Sequence, residues 1–91
     1  MIQKGSRHFL IYPAQLRAGR GLLGWSQTDL AQHAGLSLPT VKRVETDLGI
    51  RVSEDARLKL CSALEKAGVE FIPENGGGPG VRLRKRQGNK G

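Results

Sequence analysis

The chain has 91 residues, enough for one small domain of the usual 50–200-residue range, and 15 Lys+Arg against 8 Asp+Glu give it a net charge of +7. That balance favours polyanionic partners such as nucleic acid or an anionic membrane surface. The lone Cys61 excludes an intramolecular disulfide and fits a reducing compartment, and no apolar run approaches the ~20 residues of a membrane span.

Residues 1–12, MIQKGSRHFLIY, read as an N-terminal extended arm in which Phe9 to Tyr12 can pack on the body. HFLIY is too short for the apolar region of a secretory leader, so the expected compartment is the cytoplasm. Pro13 stands where a helix can begin, because the first turn needs no amide donor there. Ala14 to Leu23 reads as a first helix with Leu16, Arg20 and Leu23 on one side. Gly19, Gly21 and Gly24 weaken it, so packing must supply what propensity lacks.

Ser26 is placed to cap a second helix, with Asp29 three residues on as a short version of the capping-box partner. Leu30, Ala31 and Ala34 form its apolar stripe, and Gly35 ends it where the chain must turn left-handed. Ser37 can cap a third helix from Leu38 to about Thr46, with Pro39 tolerated in its first turn. Val41, Val44 and Leu48 recur at helical spacing and face inward. Leu38, Pro39, Lys42, Arg43 and Thr46 then fall on the other side.

A connection over 46–52, containing Gly49, leads to a fourth helix capped by Ser53. Glu54 and Asp55 lie near its positive end and Lys66 near its negative end. Its buried stripe is Leu60, Cys61, Leu64 and Ala67, and Gly68 stops it. The period then changes to two. Val69 and Phe71 alternate with Glu70 and Ile72, Val81 and Leu83 with Arg82 and Arg84, and PENGGGPG separates the runs. This is a β-hairpin with a long loop, followed by a basic disordered tail from about Lys85.

The expected organisation is mainly α: a compact helix-turn-helix bundle of about four helices over 13–68, then a C-terminal β-hairpin over 69–84 and a tail over 85–91. Charge is uneven along it. Residues 13–72 sum to +1, residues 1–12 to +2 and residues 73–91 to +4, so the isoelectric point alone does not make the central segment a DNA binder.

Two short helices joined by a tight glycine-containing turn form the helix-turn-helix unit. In QTDLAQHAGLSLPTVKRVET, Ala31 is small where the helices cross, Gly35 permits the turn, Leu36 plugs the angle, and Val41 and Val44 anchor the third helix. An ordinary helical corner is the competing reading. With these residues in this order, the sequence resembles the Cro-repressor-like (XRE-type) helix-turn-helix family of transcription regulators. The resemblance runs from about Leu16 to Leu64 and is most specific over GLLGWSQTDLAQHAGLSLPTVKRVE.

The resemblance implies a bundle of four or five helices whose third enters the DNA major groove. It implies that Gln27 contacts phosphate and buttresses the third helix, and that Arg20 and Glu45 form a partly buried ion pair. By the same resemblance Ser37, Leu38, Pro39, Thr40, Lys42, Arg43 and Thr46 occupy the DNA-facing positions. Chemistry fills in the roles. The planar fork of Arg43 can donate twice to guanine O6 and N7, while Lys42 suits phosphate or guanine equally. Ser37 and Thr40 can cap the helix or bond phosphate.

Leu38 and Pro39 depart from the family pattern, which more often has polar or basic residues there. A leucine cannot read donor–acceptor codes, but it can pack on a thymine methyl. The other use of Leu38 is to cover a neighbouring subunit or the HFLIY segment.

One module contacts few base pairs, so a homodimer on two half-sites is expected. Its seam is either the hairpin pairing with its twin or some other surface, with the hairpin covering the core of one chain. An enzyme is the least supported class. His8 and His33 lack partners at metal-ligand spacing, GGGPG lacks the Lys-Ser/Thr of a phosphate loop, and neither metal nor cofactor is expected. The rival is a protein-binding module of the antitoxin kind, holding a toxin while repressing its own promoter. Four aromatic residues make RNA stacking a weaker reading.

Overall fold

The computed structural model describes residues 11–46 and 53–85, in the order α1 (Pro13–Leu23), α2 (Gln27–Ala34), α3 (Leu38–Thr46), α4 (Glu54–Lys66), β1 (Val69–Ile72) and β2 (Gly80–Leu83). Four helices followed by a two-stranded antiparallel hairpin make the fold mainly helical, as the sequence periods predict. Most of the arm, Leu48 with its expected inward position, the Gly49 connection and most of the tail lie outside the described residues.

The helix ends follow their local chemistry. The Ser26 hydroxyl accepts from the amide of Asp29 (3.0 Å), and the Asp29 carboxylate accepts from the amide of Ser26 (2.9 Å), so the short acidic partner completes the box. Ser53 Oγ accepts from the amide of Ala56 and starts α4. Gly24 and Gly35 take φ of 72° and 71°, which closes α1 and α2 at no Cβ cost. Gly24 therefore does not weaken α1, as its position in the sequence suggests; it lies just past its end. In α4 the last helical residue is Lys66, with Ala67 as the cap.

The core gathers one stripe from each helix and from β1: Leu16, Leu30, Ala31, Val41, Val44, Leu60, Cys61, Leu64, Val69 and Phe71 are all buried. Leu36 and Trp25 pack against its margin. The α4 stripe differs from the expected one at its ends. Ala56 and Ala63 join it, while Ala67, placed after the helix, is only half-buried. Trp25 also stacks on the ring of His33, centroids 4.1 Å apart, and so covers one face of an exposed side chain.

The hairpin register pairs Val69 with Leu83, Glu70 with Arg82, Phe71 with Val81 and Ile72 with Gly80. Val69 and Phe71 of β1 close the core within the chain. On β2, Val81 is half-buried and Leu83 exposed. Gln15 secures the assembly. Its amide nitrogen donates to the carbonyls of Ile72 (3.3 Å) and Gly80 (2.9 Å), and its oxygen accepts from the amide of Tyr12 (2.8 Å). One buried side chain thus holds both strands of the hairpin to the start of α1. The Tyr12 hydroxyl adds a bond to the carboxylate of Glu74 (3.1 Å). Accepting that proton, and opposing a second negative charge nearby, Glu74 raises the Tyr12 pKa above 10.0.

Candidate nucleic-acid interface

The geometry of α3 follows from its 3.6-residue period. Val41 and Val44 face the core with at most 4% of their surface exposed, and Glu45, next to Val44, is 2% exposed. A buried carboxylate is costly unless paired and hydrogen-bonded. Two side chains meet that demand with three hydrogen bonds. Arg20 donates Nε to Oε2 (2.8 Å) and Nη2 to Oε1 (2.9 Å) in a bidentate fork, and Gln27 Nε2 donates to Oε1 (3.0 Å). Arg20 also reaches the carbonyl of Trp25 (3.1 Å), and Arg17 donates to the main-chain carbonyl of Glu45. The end of α3 is thereby joined to α1 and to the first turn of α2.

With that flank committed, the opposite one is free. Lys42 and Arg43 are exposed, and neither enters an ion pair among the described residues. Pro39 is exposed beside them, and Thr40 is half-buried. Leu38 is half-buried and outside the core cluster, so it offers part of its side chain rather than the fully exposed leucine expected from its spacing.

The hydroxyl-bearing residues have local duties. Ser37 Oγ lies 2.9 Å from Thr40 Oγ1 and accepts from the Thr40 amide at 3.3 Å, so it caps α3. Thr46 is exposed but donates its hydroxyl to the carbonyls of Arg43 (2.9 Å) and Lys42 (3.2 Å). A contact from Thr46 to an anion would therefore require that proton to turn outward. Gln27 is half-buried and its amide is spent on Glu45, which makes it a buttress.

Seven of the sequence-selected residues, Ser37, Leu38, Pro39, Thr40, Lys42, Arg43 and Thr46, thus lie on α3 or its cap. The other three, Gln27, Arg20 and Glu45, meet in one network behind it. Sequence reasoning missed Arg17. Its signal was slight: an arginine one turn before Arg20 on a short, glycine-rich helix.

The described residues contain no cluster of His, Cys, Asp or Glu able to hold a metal ion and no helix long and apolar enough to cross a membrane. Comparison with curated protein sequences gives no match. A protein-family model described as "Helix-turn-helix domain" matches residues 14–71, which take in α1 to α4 and nearly all of β1. That match is consistent with the XRE-type resemblance, and it extends beyond the α2–turn–α3 segment alone. The chain belongs to the helix-turn-helix domain family.

Proposed function

We propose that this protein is a sequence-specific double-stranded-DNA-binding transcriptional regulator, most simply a cytoplasmic repressor, with α3 as its recognition helix. The observation that carries the reading is the division of α3. Val41, Val44 and Glu45 are consumed by the fold, while Lys42 and Arg43 stand exposed and unpaired among the described residues. A helix about 10–12 Å across with its side chains fits the major groove, about 12 Å wide.

In this reading Arg43 reads guanine O6 and N7, and Lys42 binds phosphate or a second guanine. Leu38 and Pro39 pack on a thymine methyl. Ser37, Thr40 and Thr46 shape and end the helix, with any phosphate bond secondary to that duty. Gln27, Arg20 and Glu45 fix the angle at which α3 is presented. The protein acts as a homodimer on two half-sites about one DNA turn apart, because one such helix reads too few bases for useful discrimination.

The test is in vitro selection of bound duplexes from a randomised pool, repeated with Arg43→Ala. The expected result is a two-fold-related motif with a guanine in each half-site. Arg43→Ala should lose about 1–3 kcal/mol of discrimination at that base pair, with an unchanged melting temperature since Arg43 is exposed. Equal affinity for every duplex would overturn the reading.

A further inference from the structure

The hairpin carries an edge that the single chain leaves open. Arg84 donates its amide to the carbonyl of Gly68 (2.8 Å), which continues the β1–β2 register by one step. Antiparallel pairs alternate between bonded and non-bonded, so Glu70–Arg82 and Ile72–Gly80 are the other bonded pairs. The amide and carbonyl groups of Val81 and Leu83 therefore point away from β1. Among the described residues no third strand takes them.

The surface beside this edge is more apolar than polar. A groove between α1 and β2 is lined by Tyr12, Ala14, Ala18 and Val81, with Gln15 and Glu74 as its polar members. On the α1 side, Ala14, Ala18, Gly21 and Leu22 fall within one arc of the helix, and all four are exposed. Leu22 and Leu83 are 44% and 46% exposed. Gly21 has no account within one chain: its φ is not positive, and a Cβ added there would meet nothing within 4 Å. Glycine inside a helix is unfavourable, and the open space leaves room for a close approach from outside.

We infer that this edge and the neighbouring α1 face form the seam of a dimer, with the β2 strands of two copies paired antiparallel into one four-stranded sheet. The inference deepens the dimeric reading above and rests on it. One register suits the chemistry. Setting Val81 opposite Leu83 of the second copy satisfies the outward backbone groups of both residues in both strands. It places Val81 against Leu83 on the α1 side, where both are under-covered. On the other face it sets Arg82 against Arg82 of the copy, and each brings its own counter-charge, since Arg82 Nε lies 2.7 Å from Glu70 Oε1. The resulting row alternates as Glu70, Arg82, Arg82 and Glu70, so the central like-charged pair is flanked by carboxylates. The contact is isologous, closes on itself and covers the β2 edge.

The test is sedimentation equilibrium of the full chain without DNA, comparing wild type with Val81→Pro and Gly21→Arg. Val81→Pro deletes an outward donor without touching the β1–β2 ladder. Gly21→Arg sets a charge in space that is open in one chain, and so keeps the test valid should proline disturb the hairpin. The expected result is a wild-type dimer whose dissociation constant rises about tenfold or more in each folded variant. Amide exchange at Val81 and Leu83 should slow as protein concentration rises. A dimer unmoved by Gly21→Arg overturns the seam and leaves the dimeric reading standing, while a monomer at every concentration overturns both. Rapidly exchanging Val81 and Leu83 amides in a dimeric sample would overturn the seam.

Discussion

Glu45 shows how much one side chain can organise. It is buried beside Val44, and its two oxygens take three hydrogen bonds from Arg20 and Gln27. Removing Arg20 leaves a carboxylate in the core without its counter-charge, which typically costs about 3–5 kcal/mol. Gln27 supplies one bond to a group already paired, so its loss is expected near 1–2 kcal/mol. Urea denaturation of Arg20→Ala and Gln27→Ala checks the order; equal losses would mean that the ion pair is not the dominant tie. The Arg20 and Glu45 assignment was legible in the sequence only through the family resemblance, since 25 residues separate the two. Gln15 was not legible at all. A glutamine near the start of a helix reads as solvent-facing, and its partners, the carbonyls of Ile72 and Gly80, belong to a hairpin that closes 57 and 65 residues later.

At the level of elements, the three glycines of the first helical region have three different physics. Gly24 takes a left-handed φ of 72° and ends α1. At Gly19 an added Cβ would sit 3.3 Å from Leu64 Cδ1 and 3.4 Å from Val69 Cγ1, so α1 needs a small residue there to lie close to α4 and β1. Gly21 meets nothing. Gly21→Ala should therefore raise stability by about 0.5–1 kcal/mol through helix propensity, whereas Gly19→Val overfills a packed contact and should cost about 1–3 kcal/mol. Thermal melts at one low protein concentration separate the two; opposite signs are expected. The sequence made these glycines look alike because one-dimensional spacing records propensity and not what lies across the helix. Element types were readable for the converse reason. The shift from a 3.6-residue to a two-residue period after Gly68 is a local signal, and caps such as Ser26 and Ser53 act over three residues.

Across the whole molecule, charge and shape are distributed to different places. Residues 13–72 are nearly neutral in sum, and most of the excess positive charge belongs to the two ends of the sequence. Removing residues 86–91, which carry Arg86 and Lys90, should weaken binding to every DNA sequence alike and flatten the dependence of affinity on salt by about one counterion per lost phosphate contact. Titrations at several salt concentrations on matched and scrambled duplexes check this, and a loss confined to the matched duplex would contradict it. The cut belongs after Lys85 rather than after Leu83, because the guanidinium of Arg84 bonds the carbonyl of Glu65 (3.1 and 3.2 Å) and ties the strand to α4. The knot at Glu45 has a further bearing on how such a protein can diversify. Since α1, α2 and α3 are lashed together at one buried point, the helix proposed to read DNA has little freedom to tilt in answer to a new target. Under the proposed role, novel preferences would come from exchanging Leu38, Pro39, Lys42 or Arg43 on an unaltered chassis, which makes those four positions the natural dials for reprogramming it.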